Sequence, residues 1–396
     1  MRLFYGKFCE NIESQSQSNH KIQYTKIMFN YNIFLQILFA GLISFILAFV
    51  SIPTILRVAH SKNLYDEPNK RRVNKIKIPT LGGLGIFFGV IFTYLFYLDL
   101  FDYHTVPFLS VSLLIIFTIG IKDDILVTAP IMKFFGQTFA AIIIVGLGDL
   151  RITDFHGFFG LQPDYFISII FTTLLMVFLI NGFNLIDGID GLAAITGIIV
   201  TVSFSVWFII NGEFLIPILG SMLVGALIAF LYYNIVSQRQ KIFMGDTGSL
   251  IIGFIVAVIA VNFMELNAEI NRPSLKYQMN SAPAVAMGIM IIPIIDTIRV
   301  FFRRIIRGQS PFVADKNHIH HRLLTLGLSH IQTALVLGGV NILFVIMSYA
   351  LMNFGMLWLL IINLTIGLLA FQIPSLAIRL KKKRMRSRKL ERPNIP

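Results

Sequence analysis

Cysteine is almost missing from this sequence of 396 residues: a single Cys9 rules out an intramolecular disulfide and starts no redox argument. Charge is scarce as well. Asp, Glu, Lys and Arg make up 13% of the chain, whereas a water-soluble globular protein carries about 25%. That shortage excludes an ordinary soluble enzyme. No polar segment is long enough to fold as a separate soluble domain, and no internal repeat is visible. Residues 1–30 form a polar extension that lacks the apolar stretch a cleavable signal peptide needs soon after its basic start. Met28 stands directly before the first apolar run, so translation could equally begin there.

What is present is apolar. Hydrophobic residues make up 56% of the chain, with 37 phenylalanines among them. A bilayer core needs about 20 apolar residues per helix, and such runs fall near 33–55, 81–98, 106–121, 131–148, 166–181, 192–210, 214–231, 249–265, 282–302, 331–350 and 356–374. Lipid offers the backbone no hydrogen-bond partner, so the spans must be helical. The expectation is therefore an all-α, polytopic membrane protein with about eleven transmembrane helices. Residues 31–375 would form the membrane domain and 376–396 a basic tail.

The net charge of +13 reads as topogenic charge rather than as a nucleic-acid surface. Most of the 33 basic residues fall in the segments 56–80 and 299–330 and in the tail. Alternation through eleven spans puts these segments on one face, together with Lys122, Lys133, Arg239 and Lys241. That face is then cytoplasmic, with the N-terminus outside and the C-terminus inside. The tail could also meet anionic lipid headgroups. The span 282–302 is read as an uncharged wall for a lipid groove.

The acids and histidines converge on the same face, although they took no part in drawing it. Asp123 and Asp124 lie in "GIKDDI" at the end of the third span. Adjacent carboxylates repel unless a proton or cation relieves them, and a divalent metal would do so. Asp187 and Asp190, in "NGFNLIDGIDGLAA", are three residues apart and would share a helical face, although Gly188 and Gly191 argue for a helix entry. Asp246, between Gly245 and Gly248, suggests a helix N-terminus with open amides, suited to phosphate or to holding a metal-bound carboxylate. In "ADKNHIHHRLL", His318, His320 and His321 precede Arg322. With no cysteine beside them and hard carboxylates nearby, magnesium and phosphate fit better than zinc. The cluster reads as an anion clamp.

Five stretches taken together, "DEPNKRRVNKIKIPTLGG", "KDD", "NGFNLIDGIDGLA", "FMGDTGSL" and "HIHHRLL", resemble the polyprenyl-phosphate N-acetylhexosamine-1-phosphate transferase family, glycosyltransferase family 4. The resemblance covers residues 33 to 375. It implies ten or eleven helices around a cytoplasmic magnesium site, where manganese could substitute, in a multi-pass protein of the bacterial inner membrane. It implies transfer of a sugar-1-phosphate, N-acetylglucosamine by default, from a UDP-sugar to undecaprenyl phosphate with release of UMP. By that resemblance Asp123 readies the lipid phosphate with Asp124 beside it. Asp246 and Asn184 hold the metal, and Asp187 and Asp190 serve catalysis and nucleotide binding. Lys133 lies near the phosphates, and His318, His320, His321 and Arg322 bind the diphosphate. The first loop departs from the family pattern because Arg72-Val73-Asn74 lacks a histidine, so Lys75 or Lys77 would serve instead.

Expected partners are the two substrates and membrane lipid, with a homodimer allowed and nucleic acid excluded. A rival within the family is the phospho-MurNAc-pentapeptide transferase of peptidoglycan synthesis, which carries three successive histidines. A secondary transporter is a rival of another class. It would place charges at the bilayer midplane on broken helices.

Overall fold

The computed structural model describes residues 33–65, 78–100, 105–126, 128–157, 162–268, 276–306, 308 and 318–390. Lys75 and Lys77 lie outside the described residues, as does the polar extension. Among the described residues there is helix, turn and coil but no strand.

Among the described residues, nine helices are long and apolar enough to cross a membrane, and a bent pair raises the number to ten if it counts as one span. The chain is therefore a multi-pass membrane protein. In order, α1 covers Ile33–Ser61, α2 Gly82–Phe96, α3 Thr105–Leu126 and α4 Pro130–Ile142. They are followed by α5 Tyr165–Ile186, α6 Leu192–Ile210, α7 Leu215–Leu231 and α8 Gly245–Ala268. The bent pair is α9 Ala282–Ile289 and α10 Ile291–Ile306. The short α11 covers Ile319–Leu326, and α12 His330–Ala350, α13 Met356–Ala370 and α14 Ile373–Leu390 close the chain. Large apolar side chains such as Phe96, Phe166, Leu343 and Trp358 are exposed on the outside, as lipid-facing positions should be.

Helix α8 is the axis of the bundle. Every residue from Thr247 to Val261 is buried, and α2, α3, α5, α6, α7 and α9 all pack on it. A helix apolar on every side belongs in such a position. Its start is therefore surrounded by the ends of its neighbours, and there the polar residues collect.

The expected uncharged span 282–302 is not what forms. The helix breaks at Met290 and turns by 84° into α10, which carries Asp296 and Arg299, both buried. Pro293 explains the break. It has no N–H to give the Ile289 carbonyl four residues back, and Asn341 of α12 donates its side-chain amide to that carbonyl instead, at 2.9 Å. The described part of the tail continues as helix α14.

Candidate active site

The start of α8 is built by three local facts. Gly245 sits at φ +73°, and a Cβ there would meet the Thr80 carbonyl and the Asp124 carboxylate, so a side chain is excluded on both counts. The amides of Gly82 and Gly83, at the start of α2, donate to the carbonyls of Phe243 (2.9 Å) and Met244 (2.8 Å). The first α8 amides then turn to Asp124 at the end of α3. Asp246 N–H donates to Oδ1 at 2.7 Å and Thr247 N–H to Oδ2 at 3.1 Å, with the Thr247 hydroxyl on Oδ2 at 2.5 Å. The helix N-terminus read from the sequence exists, but the amides of Asp246 and Thr247 are not open to a phosphate. A carboxylate already fills them, as the helix dipole favours.

Asp123, one residue earlier, is held differently. Its Oδ1 accepts the Thr128 N–H (2.6 Å) and hydroxyl (2.5 Å), and its Oδ2 pairs with Lys133 Nζ at 2.5 Å. The same ammonium reaches Asp246 Oδ2, also at 2.5 Å. Asn184 of α5 donates its amide to Asp246 Oδ1 at 2.6 Å and to the Ser249 hydroxyl at 2.9 Å. The residues expected to act together thus do converge: Asp123, Asp124, Lys133, Asn184 and Asp246 meet at the ends of α3, α4, α5 and α8. Asn184 faces Asp246 as a donor.

Asp187 and Asp190 belong to the connection from α5 to α6, and Asp187 is the C-cap of α5. Burial pushes the Asp187 carboxyl well above the usual carboxylate range, reinforced by repulsion from Asp246, Asp124 and Asp190. Its side chain has no hydrogen-bond partner among the described residues. Asp190 behaves oppositely. Burial opposes its charge, but hydrogen bonds from His330 and Lys241 prevail and hold its pKa down. Lys241 Nζ lies 2.7 Å from Oδ2 and His330 Nδ1 3.2 Å from the same oxygen. The two acids do not share a helical face, because one ends a helix and the other precedes the next.

The histidine stretch also differs from an open clamp. His318 and His320 are buried. His318 Nδ1 bonds Asp296 Oδ2 at 2.8 Å. His320 lies against Gly188, where any Cβ would collide with its Nε2, and burial pulls its pKa down to about 3. It is therefore a neutral imidazole at physiological pH. Arg322 donates to Ser375 of α14. What the stretch brings against the acid-bearing connection is the His320 ring, seated on Gly188 between Asp187 and Asp190.

Lys241, His330, Thr128, Thr247 and Asp296 were not foreseen as partners in the site. Asp296 carried a signal, an acid inside an apolar run. Lys241, His330 and Thr247 are ordinary residues whose role depends on a carboxylate distant in sequence, and Thr128 on one five residues before it.

The donors suit a hard cation in kind, being carboxylate and amide oxygens with no thiol. Asp187 has an unpartnered carboxylate among like charges, which a proton or a cation would relieve. Among the described residues no three His, Cys, Asp or Glu side chains are already grouped around a metal position. Lys133 Nζ stands between Asp123 and Asp246.

The sequence model of glycosyl transferase family 4 matches residues 106–264, which run from α3 through most of α8 and contain every acid named above except Asp296. A probable undecaprenyl-phosphate N-acetylglucosaminyl 1-phosphate transferase of Bacillus subtilis is 31% identical over 342 residues, 86% of this chain and 91% of that protein. A decaprenyl-phosphate N-acetylglucosaminephosphotransferase of Mycolicibacterium smegmatis is 32% identical over 291 residues, 68% of this chain and 71% of that one. The undecaprenyl-phosphate alpha-N-acetylglucosaminyl 1-phosphate transferase of Escherichia coli K12 is 31% identical over 292 residues, 70% of this chain and 73% of its own length.

Proposed function

The chain belongs to glycosyl transferase family 4, and on that premise we propose that it transfers N-acetylglucosamine-1-phosphate from UDP-N-acetylglucosamine to undecaprenyl phosphate. The phosphorus that carries the sugar loses its bond to the UMP oxygen and gains one to an oxygen of the lipid phosphate. UMP leaves, and the lipid is left with a diphosphate-linked sugar. The observation that carries this reading is the convergence of Asp123, Lys133 and Asp246 at 2.5 Å on the rim of an apolar bundle, where a lipid-borne and a water-borne substrate can meet.

Phosphoryl transfer needs positioning and neutralised phosphate charge more than special functional groups. Asp123 accepts the proton of the lipid phosphate, and Thr128 keeps its carboxylate aimed. Lys133 exchanges its carboxylate partners for phosphate oxygens as substrate enters. Asp124 keeps Asp246 in place by capping α8. Asp190, Lys241 and His330 form the rim that receives the nucleotide, with the histidine helix α11 beside it. Asp246 and Asn184, joined by Asp187, would hold magnesium, which when bound neutralises charge on the diphosphate.

The site face is cytoplasmic in this reading, and the membrane is the bacterial inner membrane. Even numbers of crossings separate the polar ends: α4 and α5 lie between Asp124 and Asp187, and α6 and α7 between Asp190 and Asp246. Counting α2 and the bent pair as one crossing each gives eleven, which leaves the N-terminus outside and the basic tail inside.

The test is UMP release by the purified protein in detergent, supplied with UDP-N-acetylglucosamine, undecaprenyl phosphate and magnesium. Release that depends on the lipid phosphate is expected. Release with a UDP-MurNAc-pentapeptide donor alone, or none with any UDP-sugar, would defeat the proposal.

A further inference from the structure

Asp296 is fully buried in α10, the second half of the broken span. A carboxylate in such a place is costly unless its oxygens are filled. Here both are. Oδ2 faces His318 Nδ1 at 2.8 Å, and Oδ1 accepts the Ile319 N–H at 3.0 Å. These two residues are the N-cap and first residue of α11, and His318 makes no side-chain cap of its own. The cap of the histidine helix is therefore supplied from another helix.

The contact also decides the His318 ring. A nitrogen that bonds a carboxylate must carry a proton, so Nδ1 is the protonated nitrogen and Nε2 is the one left to face elsewhere. The His320 ring stacks on that of His318, with centroids 5.6 Å apart and planes 5° from parallel. His320 in turn lies against Gly188. A continuous ladder runs from Asp296 through two imidazoles to the loop that carries Asp187 and Asp190. Three residues after Asp296, Arg299 Nη1 donates to the Phe371 carbonyl at 3.2 Å, which ties the same stretch of α10 to the turn before α14.

We infer that Asp296 is a positioning residue for the sugar-nucleotide substrate: it fixes the first turn of α11 and the orientation of His318, and so sets where the histidine helix meets the donor. The inference rests on the proposed transfer reaction. It differs from a purely structural role in what it affects. A carboxylate that only holds the fold together would lower folded yield or turnover without favouring one substrate. One that acts through the histidine helix affects the nucleotide and leaves the lipid phosphate alone.

Steady-state kinetics on the purified full chain separate these roles, using wild type, Asp296→Asn, His318→Gln and the double variant. Asp296→Asn removes a charge-assisted hydrogen bond and is expected to raise KM for UDP-N-acetylglucosamine roughly tenfold. KM for undecaprenyl phosphate should stay within about twofold. The double variant should be no worse than the worse single variant, because both act along one path. Penalties that multiply, or a turnover loss with the donor KM unmoved, would overturn the inference. If Asp296→Asn does not accumulate, His318→Gln decides alone, and an unchanged donor KM defeats the inference. Hydrogen exchange over residues 318–326 gives a readout free of activity. Faster exchange in Asp296→Asn is expected, and unchanged protection sinks the positioning role even if the wild type released no UMP. Absence of UMP release from wild type would instead count against the transfer reaction itself.

Discussion

The two ends of α8 each place a carboxylate on a threonine. At the start, Asp124 takes the Thr247 amide and hydroxyl. Near the other end, Glu265 takes the Thr153 amide at 2.8 Å and its hydroxyl at 2.6 Å. The local chemistry is the same, and the surroundings are not. Around Asp124 stand Asp187 and Asp246, close enough to repel one another, and Asp123, with Lys133 as the cation between Asp123 and Asp246. The Glu265 contact is exposed. Nearby, the ring of His156 is bonded to the Met264 carbonyl at 3.0 Å, and burial pulls its pKa down. Bonds to both oxygens do not separate the two ends, since Asp123 and Asp246 are bonded through both as well. What distinguishes the start of α8 is charge in excess of its partners.

Breaking the excess should have the largest effect. Asp246→Asn and Asp123→Asn are each expected to slow UMP release by at least about a hundredfold in protein that still purifies folded, since metal-holding and general-base groups carry effects of that order. Near-normal turnover in either would remove that residue from the mechanism. Next comes the scaffold of the same end. Asp124→Ala strips the cap from α8 and should lower stability by about 1–3 kcal/mol. Thermal melting in detergent would show this, and a wild-type melting temperature would mean that the cap is unimportant.

Asp187 gives the comparison a pH dependence. Its folded-state pKa is raised, so the native protein binds that proton more tightly than the unfolded chain does. Its contribution is therefore fully present below the unfolded value of about 4 and is lost as pH rises through the raised one. In chelator-treated protein, melting temperature should fall across that window, and Asp187→Asn should flatten the fall. Magnesium should restore more stability to wild type than to the variant. Identical pH profiles for the two proteins would remove Asp187 as the strained group. The smallest effect belongs to the far end: Glu265→Gln should change activity by less than about twofold and stability by roughly 1 kcal/mol. A loss comparable with that of Asp246→Asn would erase the distinction between the two ends.

Much of this was legible in the chain. Hydropathy marked every helix that crosses the bundle, because burial in lipid is a property of consecutive residues. The clusters at "KDD", "NGFNLIDGID" and "MGDTG" pointed to acids that the fold gathers at the start of α8, because acids at the edge of apolar runs are too costly to place there idly. The sequence could not divide labour among those acids. Asp123 and Asp124 are adjacent and chemically identical, yet one pairs with Lys133 and the other caps a helix that begins 121 residues later. Nor could it show that 282–302 bends at Met290, or that His318 is tied to Asp296. A carboxylate's role is set by which donors reach its oxygens, and for Asp124 and Asp296 those donors arrive from segments distant in sequence. Composition and the runs of apolar residues determined the class of molecule, the helices and the end of the bundle at which the acids gather. Only the packing around α8 decided which charge is spent on capping a helix and which is left in excess of its partners.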